Sequence, residues 1–310
     1  MKRFRNILVV VPADGTDMGP AMERATELAL RNSALLALTS TVEEVPKRNV
    51  NRARRQGLDI QAALVGERRR ELEQLAETYE SDDLPINVSV AVGIPFVESI
   101  RRVLIIGHDL VITPEEAGLA GFGARTKHLL RKCPCPVWVV RPGRAQHLKV
   151  LAAVGPDEQD SGQLNELIMD LATSLSVLED GDLDVVHTWV LEGESSLRTS
   201  PHASMPSTEV DLMVEITREE HANALNDLID RYDLSSIEHT IHLIKGEPEK
   251  IIPSLAIERN TNLIVLGTVA RTGIVGLVIG NTAERILDTV DCSVLAVKPD
   301  GFITPVTIAT

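Results

Sequence analysis

The chain repeats itself, and that constrains its fold more than any other feature. The aliphatic run Ile7-Leu8-Val9-Val10-Val11, followed by Asp14 and Asp17, returns 143 positions later as Val150-Leu151-Ala152-Ala153-Val154, followed by Asp157 and Asp160. Gly93-x-Pro95 returns at Gly246-x-Pro248, and Asp109-Leu110-Val111-Ile112 returns at Asn262-Leu263-Ile264-Val265, both displaced by 153. Cys135-Pro136-Val137-Trp138-Val139-Val140-Arg141-Pro142 is answered by Cys292-Ser293-Val294-Leu295-Ala296-Val297-Lys298-Pro299, displaced by 157. An offset that holds across a segment and then steps is the trace of one module used twice, with insertions in its loops. A chain of 310 residues has room for two domains of ~100–200 residues. The short linker Pro142-Gly143-Arg144-Ala145-Gln146 divides the copies into 1–143 and 147–310.

Within each copy, short aliphatic runs alternate with helical patterns. Strands are expected near 6–12, 34–42, 86–92, 109–113 and 137–141, then near 148–154, 183–190, 237–244, 262–266 and 294–298. Helices fit 18–32, 58–81, 96–107 and 122–132, then 161–179, 208–233, 249–260 and 280–290. Continuous aliphatic strands separated by helices imply βαβ units and a parallel sheet covered on both faces. Aromatics are only 3% of the chain while hydrophobic residues are 44%, so the core must be aliphatic. The reading is α/β, with two tandem domains, each a parallel five-stranded sheet flanked by helices. Ligands in such sheets bind beyond the carboxyl ends of the strands, where strand order reverses. The least regular stretches are 43–57 and 192–208. The second is read as a mobile loop.

Composition excludes several classes. A net charge of −14 repels nucleic acid and anionic membranes. Arg52-Ala53-Arg54-Arg55 and Arg68-Arg69-Arg70 read as solvated faces. No apolar run approaches the ~20 residues of a membrane helix. Three cysteines, Cys133, Cys135 and Cys292, make no disulfide framework and suit a cytoplasmic location.

The segment expected to carry chemistry runs from Gly267 to Arg285. Gly267, Gly273, Gly276 and Gly280 let the backbone turn tightly and expose N–H groups between a buried strand and a helix. The helix start at Gly280-Asn281-Thr282 adds orphan N–H donors and the positive dipole end. Asn281 and Thr282 can add side-chain contacts, and Arg271 can neutralise charge. These features suit a phosphate-bearing ligand. The blander reading is a turn whose Asn281 or Thr282 merely caps the helix.

This segment resembles the universal stress protein motif of Gly, two residues, Gly, nine residues, then Gly-Ser or Gly-Thr. The matching positions are Gly267, Ala270, Gly280 and Asn281, with the nine-residue spacing intact. Gly246-Glu247-Pro248, Asn262-Leu263-Ile264-Val265-Leu266-Gly267-Thr268, Ala283-Glu284-Arg285-Ile286-Leu287 and Val294 to Pro299 also resemble that family. The tandem layout and Arg131-Lys132-Cys133-Pro134-Cys135-Pro136-Val137-Trp138 are similar to its tandem subtype. The resemblance implies Rossmann-like (adenine nucleotide alpha hydrolase-like) domains and a cytoplasmic stress-response protein. It implies ATP or a related nucleotide as ligand, held by Gly267, Thr268, Ala270, Arg271, Gly280, Asn281 and Thr282. Gly155, Pro156 and Asp157 would lie at the base, with Asp157 the candidate to coordinate Mg beside the phosphate. It also implies that 137–141 and 294–298 pair edge to edge inside one chain as a pseudo-dimer, with a further homodimer left open.

The chain departs from the family pattern in ways that matter. The acidic residue usual at the end of the first strand is replaced by Pro12-Ala13 in copy one and Gly155-Pro156 in copy two. Ala270 stands for a motif glycine, and Asn281 for Ser or Thr. Copy one has lost the motif: between Pro114 and Gly123 lies a loop four residues shorter, bearing Glu115 and Glu116, which would repel phosphate. A structural or regulatory role is expected for that copy. Cys133-Pro-Cys135 reads as core packing rather than as a metal or redox pair. His187, His202 and His242 read as packed or surface histidines before ligands. No nucleophile–base pair is recognisable, so the expected role is non-enzymatic. An ATP-hydrolysing or phosphate-transferring enzyme and a ligand-free interaction scaffold are the alternatives.

Overall fold

The computed structural model describes residues 4–54, 59–115, 121–143, 147–156, 163–199, 205–268 and 280–308. The elements of the first copy are β1 (Asn6–Val10), α1 (Gly19–Asn32), β2 (Leu35–Val42), α2 (Lys47–Arg54), α3 (Ile60–Tyr79), β3 (Ile86–Val92), α4 (Pro95–Ile106), β4 (Leu110–Pro114), α5 (Ala124–Lys132) and β5 (Val137–Val140). Those of the second are β6 (Lys149–Val154), α6 (Gln163–Glu179), β7 (Asp182–Trp189), α7 (Glu194–Thr199), α8 (Ser207–Ile229), β8 (His239–Lys245), α9 (Pro248–Glu258), β9 (Leu263–Gly267), α10 (Asn281–Thr289) and β10 (Ser293–Val297).

The residues form two compact units, one of 4–143 with 291–308, the other of 147–268 with 280–290. In the first unit the sheet runs β3-β2-β1-β4-β5-β10. All its pairs are parallel except β5 with β10, which pair antiparallel with Leu295 opposite Trp138. In the second unit the order is β9-β6-β7-β8, all parallel. The repeat in sequence and the division in space therefore part at β10, which the second copy encodes and the first unit packs. The expected pairing of 137–141 with 294–298 is present.

The strands are buried because they are aliphatic on both faces. Leu8, Val111 and Ile112 expose none of their surface, and their equivalents Leu151, Ile264 and Val265 expose none either. Helix ends follow local punctuation. Pro95 opens α4, and Gly107 closes it at φ 74°, its N–H donating to Val103 O. The repeated Gly-x-Pro has one physical cause: Gly93 and Gly246 sit at φ 145° and 148°, where a side chain is strained. Their N–H groups donate to Val42 O and Trp189 O, the last residues of β2 and β7.

Two expectations are corrected. The stretch 192–208 is not simply a loop. Residues 194–199 form α7, stapled by Arg198 Nε to Glu194 at 3.0 Å and tied onward by Lys245 to Glu194 at 2.7 Å. Arg198 also reaches Asp211 at 2.8 Å on α8. Likewise 43–57 contains α2.

Candidate functional site

In both units the first strand of the copy lies between two others: β1 between β2 and β4, and β6 between β7 and β9. The crevice where the order reverses is therefore at the carboxyl ends of β1 and β4 in the first unit and of β6 and β9 in the second. Pro12-Ala13-Asp14 and Pro114-Glu115 stand at the first, Gly155-Pro156 and Gly267-Thr268 at the second.

The first crevice is filled by the chain's own side chains. Glu115, only 8% exposed, accepts the Gly123 N–H on Oε2 at 3.2 Å. Gly123 is the N-cap of α5, so a carboxylate sits at the positive end of that helix. Asp14 accepts from the Thr16 hydroxyl and N–H and pairs with Arg125 in the first turn of α5. Burial pulls the Asp14 carboxyl upward, but Thr16 and Arg125 outweigh it and hold the group at about 2. Arg68 corrects a further expectation. Rather than forming part of a solvated face, its guanidinium donates to Pro12 O, to Val11 O at 3.3 Å and to the Ser40 hydroxyl at 2.8 Å. The carbonyls at the end of β1 are thereby occupied.

The second crevice is built on the same frame with different chemistry. Thr268 is the equivalent of Glu115, and Gly280 of Gly123. Here Gly280 N–H donates to the Thr268 backbone carbonyl at 3.0 Å, where Gly123 meets a carboxylate. Gly280 is the N-cap of α10 and has no side chain to offer, so the N–H groups of Asn281 and Thr282 have no intrahelical acceptor. Gly155 N–H is held by Asn165 Oδ1 at 2.8 Å, which anchors the turn after β6 to α6. A Cβ on Gly267 would lie 2.7 Å from Leu164, so that residue is small because α6 lies close. The structure thus brings Gly267, Thr268, Gly280, Asn281 and Thr282 together at one strand-to-helix junction. Gly155 and Pro156 stand at the end of the neighbouring strand β6. Ala270, Arg271 and Asp157 lie outside the described residues, as do Glu116 and His202.

Sequence reasoning did not find Asn165 or Leu164, whose roles depend on contacts with residues far away along the chain. It also missed His221. His187 is 1% exposed on β7; its Nδ1 lies 3.2 Å from Val154 O and its Nε2 2.8 Å from His221 Nδ1. A carbonyl only accepts, so Nδ1 of His187 carries a proton and, in the neutral ring, Nε2 accepts one from His221. His242 is likewise a packed residue, bonded to Asp184 at 2.7 Å, and Asp184 also takes Arg259 at 3.1 Å. A separate concavity lined by His147, Asp180, Asp182 and Glu238 lies at the amino ends of β6 and β7. It is at the opposite end of the strands from the crevice and acidic, unsuited to phosphate. Among the described residues no group of three or more His, Cys, Asp or Glu could hold a metal ion, and no helix is long and apolar enough to cross a membrane.

Two doubly wound units with a strand-to-helix glycine junction define an α/β protein of Rossmann-like architecture. The chain belongs to the universal stress protein family, whose sequence pattern matches residues 3–141 and 149–298. It is 31% identical to Universal stress protein E of Escherichia coli K12, over 99% of this chain and 98% of that protein. It is 26% identical to Universal stress protein E of Photorhabdus laumondii, over 100% of this chain and 99% of that protein. In fold it is similar to a functionally unknown protein of Pseudomonas aeruginosa PAO1, with a TM-score of 0.69 and 23% identity over 97% of this chain and 95% of that one.

Proposed function

We propose that this is a cytoplasmic stress-response protein whose second copy binds a phosphate-bearing small molecule, ATP or a related nucleotide, without turning it over. The observation that carries the reading is the difference between two matched helix starts. The N-cap of α5 has a carboxylate on its N–H, whereas that of α10 has a backbone carbonyl, and the first-turn N–H groups of α10 would face an anion. Asn281 and Thr282 would take phosphate oxygens, Gly267 and Thr268 would form the β9 wall, and Ala270 and Arg271 would close the loop and add counter-charge. Gly155, Pro156 and Asp157 would form the base, with Asp157 holding Mg. Without an acidic residue at the end of β6, recognition rests on the phosphates more than on the base. Support for binding rather than hydrolysis comes from His187, the buried imidazole beside Val154, both of whose ring nitrogens are already engaged. The first copy, with its crevice satisfied internally, serves as a structural partner.

The test is a thermal shift with MgATP on the full chain, beside native mass spectrometry of protein purified from its own cytoplasm. Ligand at a hundred times its Kd stabilises by about 2.7 kcal/mol. Asn281→Asp puts a carboxylate where helix starts favour one, so the fold is kept while phosphate is repelled. We expect ATP to raise the wild-type Tm, the variant to lose that rise, and no phosphate to be released. A wild-type protein unmoved by ATP sinks the reading in favour of a scaffold. Turnover that is lost in Arg271→Ala and Asp157→Ala replaces it with an enzyme.

A further inference from the structure

We infer that Cys133 and Cys135 form a peroxide-oxidised dithiol, closing to a reversible intrachain disulfide in the first unit. Their sulfurs lie 3.6 Å apart across Pro134, where α5 ends and β5 is about to begin. Cys133 exposes none of its surface, while Cys135 keeps part of its surface in solvent. Beside them is an ammonium that the packing has gone to some cost to bury. Lys298, 4% exposed, follows the last residue of β10 and donates to Leu130 O at 2.7 Å, with the Phe302 ring 5.1 Å from its Nζ. Buried lysines are rare unless paired. Of the described residues, Cys133 and Cys135 are the groups that favour the charge of Lys298.

The electrostatics agree with that geometry. Burial draws Lys298 down to about 8, and the two sulfurs oppose that fall by favouring its charged form. The Cys133 thiol is held below its ordinary value, first by the hydrogen bond from Cys135 and then, against burial, by the Lys298 charge. The Cys135 thiol is raised because it is the one that keeps the shared proton. Either sulfur can be the donor, so the charge can pass to the more accessible Cys135. Cys292, at the Cys135 position of the repeat, has no neighbouring thiol, and burial pushes it up to about 12. It is the inert comparator within the same chain.

The chemistry balances with a peroxide as the oxidant. At Cys135 the S–O bond forms as the peroxide O–O bond breaks; the thiol becomes a sulfenic acid and the peroxide leaves as an alcohol or as water. Cys133 then attacks the Cys135 sulfur, the S–S bond forms, the S–O bond breaks, and the departing hydroxide leaves as water with the Cys133 proton. Bonding brings the sulfurs from 3.6 Å to ~2.05 Å. Closure removes the thiolate beside Lys298 and tightens the segment between α5 and β5.

The experiment treats the reduced, full-length wild-type protein with hydrogen peroxide. It follows free thiols after denaturation and the masses of the peptides carrying each cysteine. The expected result is a fall from three free thiols to one. The Cys133–Cys135 peptide should lose two hydrogens and regain them with a reductant, and Cys292 should stay unmodified. Lys298→Met keeps the side-chain volume and removes the charge; oxidation near pH 7 should slow severalfold, because the neighbouring charge that favours a thiolate is gone. Cys133→Ser should leave Cys135 as a sulfenic acid that dimedone traps. Three persisting thiols, a disulfide between two chains, or irreversible oxygen addition without loss of hydrogens would each overturn the proposal. None of these readings depends on what the second copy binds.

Discussion

Glu115 Oε2 accepts the Gly123 N–H at 3.2 Å, at the place where, one repeat later, the Gly280 N–H meets the Thr268 carbonyl. One side chain thus distinguishes the two helix starts, a carboxylate at the first and a backbone carbonyl at the second. The carboxylate takes the position that an anionic ligand would need at the α5 start, with the helix dipole favouring it.

Replacing Glu115 tests how much that contact stabilises. Glu115→Ala removes a largely buried, charge-assisted hydrogen bond and should cost roughly 1–2 kcal/mol. Glu115→Gln keeps an acceptor, loses the charge, and should cost about half as much. Urea denaturation of the full chain reads both. An Ala variant more stable than wild type would mean that desolvating the carboxylate costs more than the contact returns.

Asp14 makes a prediction in pH. Its folded value, about 2, lies below the ordinary 3.8. A depressed carboxyl stabilises fully above its unfolded value, so the contribution is complete above about pH 4 and disappears as the pH falls through about 2. The side chain is 47% exposed, so solvent screening keeps the contribution below ~1 kcal/mol. Wild type should melt above Asp14→Asn at pH 6, and the gap should close near pH 2. A gap that persists in acid would assign the effect to packing.

Two glycines should differ when changed to alanine. A Cβ on Gly181 would lie 2.6 Å from the Leu148 carbonyl oxygen, and backbone gives way only if β6 moves. On Gly267 it would lie 2.7 Å from a Leu164 methyl, which can rotate. Both substitutions overpack, with costs of roughly 1–3 kcal/mol, and Gly181→Ala should be the worse. Combining Gly267→Ala with Leu164→Ala should fall short of additive by at least ~0.5 kcal/mol. Thermal unfolding of the four variants decides it.

The strands and most helices were legible because their signals are local. Expected 86–92 is β3 as found, expected 18–32 starts one residue before α1, and expected 280–290 runs one residue beyond α10 at each end. Period, Pro95 at a helix start and Gly107 at its end are written within a few positions of one another. The stretch 192–208 hid α7 because Ser, Gly and Pro dominate its composition. What orders residues 194–199 includes Lys245 and Asp211, distant in sequence. His242 was read as packed; that it joins Arg259 on Asp184 could not be read from a strand pattern.

By itself the sequence determined the repeat, the α/β alternation, the aliphatic core and the glycine junction ending at Gly280, because each is a matter of residue type at short spacing. Only the tertiary structure decided that β10 runs antiparallel to β5 with Leu295 opposite Trp138, that Arg68 turns inward to Pro12, and that Lys298 is buried beside Cys133. It also decided that Glu115 reaches back to its own helix start. The physical reason is common to all four. A polar side chain or a strand edge must satisfy its hydrogen bonds wherever folding leaves a partner. Which partner is near is a property of the assembled chain rather than of the residues on either side.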